Sequence, residues 1–122
     1  MKKYFSTIIF SVLLFSSSQI LFAQLRVQTG VFNADKNVSN YMLAAGGDME
    51  RTLQLSISFP KPFTKTPDIQ LSITRLDQDR GNNTRYDVKV VSAHKAGFTL
   101  EIKTWGGSKI YLIGGTYMAV GE

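Results

Sequence analysis

The stretch LQLSISF at residues 53–59 decides the fold class of this 122-residue chain. Leucine, isoleucine and phenylalanine occupy every second position, and glutamine and serine occupy the positions between them. Successive side chains of a β-strand point to opposite faces of a sheet. The alternation therefore predicts a strand with one buried face and one solvated face.

The same period of two recurs along the chain. Three further segments alternate in this way, at residues 69–74, 86–90 and 98–102, and a short first strand is predicted at residues 26–30. Residues 110–113 and 116–120 are more apolar, which predicts strands that are covered on both faces or buried in an interface. Between these last two segments, Gly114 and Gly115 predict a bulge or a close approach of two backbones.

Turn-forming residues separate the strands. They are Pro60 and Pro62, Pro67, the polar residues 77–84, Ala96-Gly97 and Gly106-Gly107-Ser108. No window has a convincing helical pattern, and residues 31–49 are less regular than the rest. Short strands at regular spacing predict an all-β domain, a six-stranded antiparallel β-sandwich.

The first 23 residues have the pattern of a secretory signal peptide. Lys2 and Lys3 give a positive start, residues 8–15 are mostly apolar, and cleavage is predicted after Ala23. The apolar run is short for a membrane span, which needs about 20 residues. We expect a single mature domain at residues 24–122 without a membrane span, located outside the cell, in a periplasm or at the cell surface.

Composition excludes several functions. The chain has no cysteine and one histidine, His94, which excludes disulfides and thiolate metal sites and leaves little room for a Ser-His-Asp triad. The net charge is +5, but removal of Lys2 and Lys3 leaves 12 basic against 9 acidic residues. These basic residues are spread singly, so nucleic-acid binding is not favoured.

The acidic residues in the polar segment 77–84 have two interpretations. Asp77 and Asp79 lie beside Asn82 and Asn83, which is typical either of a calcium loop or of an ordinary polar turn. The spacing departs from the EF-hand pattern, so the turn is favoured. Both acids are expected to be solvated, which does not suit general-acid catalysis, and His94 is expected in an exposed turn. We therefore expect no enzyme activity, no metal and no cofactor.

The aromatic residues near the fifth strand suggest another chemistry. Trp105 and Tyr111 flank a glycine turn, where they are either core residues or a platform for the apolar face of a sugar ring. Arg85 offers a planar fork of donors for two neighbouring hydroxyls. Asp48, after Gly46 and Gly47, offers a carboxylate that accepts two hydroxyl protons. Each of these two has a plain alternative, a surface ion pair or a turn residue.

In their order and spacing these segments resemble the H-type lectin domain, a family found in snail agglutinins and slime-mould discoidins. The matching pieces are RVQTG (26–30), Arg51, FPKPF (59–63), Pro67, Ile73, LD (76–77), NTR (83–85), GF (97–98), TW (104–105) and KIY (109–111). The resemblance implies a β-sandwich that forms trimers, sometimes doubled to hexamers. It also implies binding of galactose or N-acetylgalactosamine ends between protomers.

The resemblance also assigns roles to single residues. Asp48 matches the sugar-binding aspartate, Gly46 a glycine that contacts the sugar through its backbone, and Arg85 the arginine. Trp105 and Tyr111 match the aromatic residues, which are expected from the adjacent subunit. The agglutinin pattern has a histidine directly after the tryptophan, where this chain has Gly106; a hydrogen-bonding side chain near the acetamido group is thereby removed.

The sequence is consistent with two functions, which belong to different classes of protein. The first is an exported, non-enzymatic lectin that binds galactose-type glycans through several sites of a homo-oligomer. The alternative is a surface, adhesion or assembly module that keeps the sandwich without sugar binding, and Gly106 is the residue that favours it.

Overall fold

The structure, a computed structural model, describes residues 24–122 and consists of six strands. The predicted signal peptide at residues 1–23 lies outside the described residues. The strands are β1 (Arg26–Asp35), β2 (Arg51–Ser58), β3 (Asp68–Gln78), β4 (Tyr86–His94), β5 (Gly97–Thr104) and β6 (Ile110–Gly121). No helix occurs in this part of the chain, which agrees with the predicted all-β class.

The strands form two three-stranded antiparallel sheets. One sheet has the order β1-β6-β3, and the other has the order β2-β5-β4. Four of the five connections cross from one sheet to the other, and only the two-residue turn between β4 and β5 stays within a sheet. The predicted six-stranded sandwich is confirmed.

β4 runs on to His94, beyond the predicted residues 86–90, and two strands of the β1-β6-β3 sheet are also longer than their sequence patterns predicted. β1 continues to Asp35, which pairs with Leu112, and β3 continues to Gln78 through a register shift between Ile73 and Arg75. Both extensions pair with β6, the central strand of the sheet. Hydrogen bonds to β6 keep these residues extended, although their sequence does not alternate between apolar and polar residues. Asp77 is therefore a strand residue and not the start of the polar turn.

The two apolar C-terminal segments form one continuous strand, β6, in the centre of its sheet. The predicted close approach at the glycine pair is confirmed, because a Cβ atom on Gly115 would overlap the backbone carbonyl of Ser72. A Cβ on Gly114 would lie 2.9 Å from the carbonyl oxygen of Phe32. In the single chain, only one face of β6 is covered, since Thr116 and Met118 are exposed.

The core lies between the two sheets. Its buried apolar residues are Phe32, Ala34, Leu43, Leu53, Phe59, Phe63, Phe98, Leu100, Ile102, Ile110, Ile113, Tyr117 and Ala119. Aromatic rings pack edge to face in one half, with ring centroids 5.1 Å apart both for Phe59 and Phe63 and for Phe98 and Tyr117. A core of this size, without disulfides, suits a domain of about 100 residues.

The topology brings three connections to the same end of the sandwich. β1, β3 and β5 end where β2, β4 and β6 begin. The loops at residues 36–50, 79–85 and 105–109 therefore meet there. This is the end that carries five of the six candidate site residues, and Tyr111 directly follows it on β6.

Candidate functional site

The turn at Gly46, Gly47 and Asp48 is built from backbone that favours glycine. The φ angles of Gly46 and Gly47 are +71° and +88°, in the left-handed region. The Gly47 carbonyl accepts a hydrogen bond from the Gly107 N–H at 3.0 Å, which joins this turn to the Trp105 turn. The Asp48 side chain is exposed and, within residues 24–122, has no hydrogen-bond or salt-bridge partner. Its oxygens are available to a ligand.

Trp105 is a surface residue and not part of the core. Its side chain is 37% exposed, which decides between the two interpretations of the sequence. With Asp48, Glu50 and Lys103 it lines a shallow depression of about 290 Å³. Lys103 Nζ lies 3.6 Å from Glu50 Oε2 at the rim of this depression. Trp105 and Asp48 of the same chain therefore border one depression.

Arg85 is hydrogen-bonded to the turn that begins at Trp105. Its backbone N–H donates to Ser108 Oγ at 2.8 Å, and its carbonyl accepts from Thr104 Oγ1 at 2.6 Å. The Arg85 guanidinium donates through Nη1 to the Gly106 carbonyl at 2.8 Å. A Cβ on Gly106 would lie 3.1 Å from the same nitrogen, and Gly106 has a φ of +61°. Glycine at position 106 thus lets the guanidinium lie directly on the turn.

Tyr111 is the candidate that the single chain does not bring into this cluster. It is the second residue of β6 and 44% exposed, and it does not line the depression beside Trp105. Gly46, Asp48, Arg85, Trp105 and Gly106 instead lie on loops that are joined by direct backbone and side-chain contacts.

Sequence reasoning missed the polar groups beneath these loops. Arg51 is 8% exposed and Ser108 is 1% exposed, although both are polar. The Arg51 guanidinium donates to the carbonyls of Gly47 at 2.8 Å and Ser108 at 2.6 Å. Arg51 stood out in the sequence only as one piece of the family resemblance. A charged residue at the start of a strand gives no signal that it is buried.

Asp79, one of the two acids of the calcium alternative, has structural partners. Asp79 accepts a hydrogen bond from the Asn82 amide, and its own N–H donates to the Lys109 carbonyl at 2.9 Å. His94 lies at the end of β4, where Nδ1 accepts from the Ala96 N–H at 3.2 Å. In residues 24–122, no three His, Cys, Asp or Glu side chains are grouped so that they would hold a metal ion. The same residues contain no helix long and apolar enough to cross a membrane.

Tyr41 attaches the first of the three loops to the start of β6. Its hydroxyl donates to the Ile110 carbonyl at 2.6 Å. Burial of the phenol, together with the negative charge of Asp35, raises the pKa of Tyr41 to about 12. The neutral phenol is therefore favoured in the folded protein. The stability that it contributes is complete below pH 10 and is lost as the pH rises through about 12.

Tyr41→Phe tests this attachment. The ring stays and the hydrogen bond is lost, so we expect a loss of about 1 kcal/mol of unfolding free energy at pH 8. The difference from the parent should shrink between pH 10 and pH 12, because the parent then loses the same contribution. Denaturant unfolding at several pH values measures this, with the exposed Tyr86→Phe as control. A difference that stays constant up to pH 12 contradicts the prediction.

Comparison with known proteins gives the same fold. Native recombinant discoidin II of Dictyostelium discoideum superimposes with a TM-score of 0.68 at 23% identity, over 82% of this chain and 38% of that chain. A second structure, wild-type discoidin II, gives a TM-score of 0.67 at 23% identity, over 81% and 37%. The chain thus spans little more than a third of discoidin II. At this identity the likeness shows the fold.

A relative in sequence is found in Fuscovulum blasticum. It is described as ATP synthase subunits region ORF 7 and is 32% identical over 76 residues. The match covers 62% of this chain and 66% of the relative, slightly less than two thirds of its length.

Residues 24–122 thus form a β-sandwich without helices, with a cluster of loops at one end. The model of the H-type lectin domain matches residues 54–120, more than half of the chain. The chain belongs to the H-type lectin domain family. The resemblance seen in the sequence is confirmed by this match.

Proposed function

We propose that the chain is an exported, non-enzymatic lectin that binds terminal galactose or N-acetylgalactosamine and acts as a homo-oligomer. Export follows from the predicted signal peptide at residues 1–23. The mature domain, residues 24–122, binds its sugar at equilibrium and breaks no bond.

The observation that carries the proposal is that Asp48, whose exposed side chain has no partner within residues 24–122, and the exposed Trp105 line the same depression. A carboxylate accepts charge-assisted hydrogen bonds from two adjacent sugar hydroxyls. Trp105, in the same depression, offers a flat apolar surface for the C–H face of the ring. The volume of about 290 Å³ is at the lower end for ligand pockets and suits a single sugar ring.

The other residues complete the site. The Arg85 guanidinium uses Nη1 for the Gly106 carbonyl, which leaves its remaining N–H groups for a hydroxyl. The Gly46 backbone contributes a polar group at the edge of the turn. Tyr111, which does not line this depression, is supplied by a neighbouring protomer. Gly106 has no side chain that could donate a hydrogen bond to the acetamido group. The difference in affinity between galactose and N-acetylgalactosamine is therefore smaller than with the histidine of the agglutinin pattern at this position.

The outward face of the β1-β6-β3 sheet supports oligomerisation. Its strand register places a central group of uncharged side chains side by side: Val27, Thr29, Val31, Gln70, Ser72, Thr116, Met118 and Val120. Asp68, paired with Val120, and Arg75, paired with Gly114, lie on the same face at either end of this group. Val31 is 79% exposed. The outward face of the other sheet instead carries charged pairs such as Lys89 and Glu101. Uncharged surface with exposed apolar side chains is typical of a protein interface. An interface was one of the two alternatives predicted for β6, the other being a strand covered on both faces.

Oligomerisation would make a weak site useful. A single sugar site with a Kd of about 1 mM corresponds to roughly −4 kcal/mol. Several sites on one particle raise the apparent affinity for a glycan-coated surface by about 10² to 10⁴. The assembly is therefore part of the proposed function.

A glycan array with purified residues 24–122 tests the proposal. We expect binding to glycans with terminal galactose or N-acetylgalactosamine and loss of this binding in Trp105→Ala. The exposed position of Trp105 means that the variant should fold like the parent. No binding to any glycan by a folded parent would reject the proposal and favour the alternative, an assembly module without sugar binding.

A further inference from the structure

Arg51 is a buried cation next to the site. It is the first residue of β2 and 8% exposed, and within residues 24–122 no carboxylate forms a salt bridge with it. Its Nε atom is buried without a hydrogen-bond partner. Burial of an unpaired guanidinium is costly, so this residue is not explained by fold stability alone.

The two carbonyls that Arg51 binds belong to different turns of the site. Gly47 precedes Asp48, and Ser108 lies in the turn that begins at Trp105. Each turn contains two glycines with positive φ. Glycine backbone has many accessible conformations, so these turns need an external restraint to hold one geometry. The Arg51 guanidinium supplies it by bridging the two turns.

The connection continues to the third loop through Ser108. Ser108 Oγ donates to the Asn83 carbonyl and accepts from the Arg85 N–H at 2.8 Å. Movement of Ser108 would therefore move the backbone of Arg85. All three loops of the candidate site are connected to the Arg51 guanidinium, directly or through one residue.

We propose that Arg51 is a positioning residue of the sugar site. Its guanidinium sets the distance between the Asp48 turn and the Trp105 turn, and through Ser108 the position of Arg85. The role in sugar binding rests on the proposed function. A planar fork is required, because two N–H groups reach two carbonyls at once, whereas a lysine ammonium is a point charge on a flexible stem.

The experiment compares Arg51→Lys and Arg51→Met with Leu55→Ala in the mature domain. Leu55 lies on the same strand and packs against the core, so its truncation lowers the Tm without touching the turns. Trp105 is the only tryptophan and reports on its turn through its emission and its quenching by acrylamide. The Kd for galactose is measured by calorimetry, and all measurements are made well below the lowest Tm.

Both Arg51 variants should shift the Trp105 emission and increase its quenching, while Leu55→Ala leaves both unchanged. The Kd for galactose should rise about tenfold in Arg51→Lys, equivalent to roughly one well-made hydrogen bond. Parental fluorescence and Kd in Arg51→Lys, with only a lower Tm, would overturn the proposal.

The two proposals fail separately. If the parent does not bind galactose or N-acetylgalactosamine, the proposed function is rejected, and the Trp105 signal alone decides whether Arg51 positions the turns. If Arg51→Met does not fold, the milder Arg51→Lys decides.

Discussion

Asp48→Ala is expected to abolish retention on a galactose matrix while the domain remains folded. Hydrogen bonds to a charged group contribute about 1.5–3 kcal/mol each. A single site with a Kd of about 1 mM has only roughly 4 kcal/mol in total, so losing one such bond raises the Kd above about 10 mM. The exposed Asp48 side chain has no partner among the described residues, so the fold should not depend on it.

The measurement is affinity chromatography on galactose resin, with calorimetry for the Kd and thermal unfolding for the Tm. Lys95→Ala is the control, because Lys95 is an exposed charged residue in the turn between β4 and β5, at the opposite end of the sandwich and away from the proposed interface. Retention of Asp48→Ala at the level of the parent would show that the site assignment is wrong.

Arg85→Ala should also abolish retention, with an additional fall in Tm. The Arg85 guanidinium holds the Gly106 carbonyl, so its removal loosens the Trp105 turn as well. Arg80→Ala, an exposed arginine in the same loop, is the control and should bind like the parent. Loss of retention on the galactose matrix together with a lower Tm in Arg85→Ala, and neither effect in Arg80→Ala, would distinguish a ligand-binding arginine from a simple surface charge.

Glutamate at both Val31 and Met118 is expected to convert the oligomer into monomers. The two side chains lie on neighbouring strands, in the uncharged central part of the outward face of the β1-β6-β3 sheet. Burying an unpaired carboxylate in an interface costs several kcal/mol per ion. The variant should lose about 10² to 10⁴ of its apparent affinity for a galactose-coated surface, because several sites no longer act together.

Light scattering after size-exclusion chromatography and binding to a galactose-coated surface measure both effects. The control is Ser56→Glu, on the outward face of the other sheet, which already carries charges. Ser56→Glu should remain oligomeric and bind like the parent. A double variant that elutes and binds like the parent would place the interface elsewhere, and a monomeric parent would reject the oligomer.

The sequence alone determined the fold class. A period of two is a local property that follows directly from strand geometry, so residues 53–59 and the three similar segments predicted their strands and the face that each turns to the core. Tyr86, which the pattern placed on such a face, is exposed, and the apolar faces of β3 and β4 are only half-buried. The close approach at Gly114 and Gly115 was also predicted, since few other positions tolerate two adjacent glycines inside a strand. The ends of β1 and β3 were missed, because pairing with β6 and not local pattern extends them.

The sequence predicted which residues form the candidate site, but not which of them are buried or how hydrogen bonds hold the loops together. The family resemblance named Gly46, Asp48, Arg85, Trp105, Gly106 and Tyr111, and the strand order then placed the first five on loops at one end. Only the tertiary structure showed that Trp105 is exposed and that Arg51 is buried beneath the turns. Arg51 and Ser108 are 57 positions apart, and a contact at this separation exists only when both sheets are assembled. Local alternation specifies the strands, whereas the site depends on long-range hydrogen bonds that no local pattern encodes.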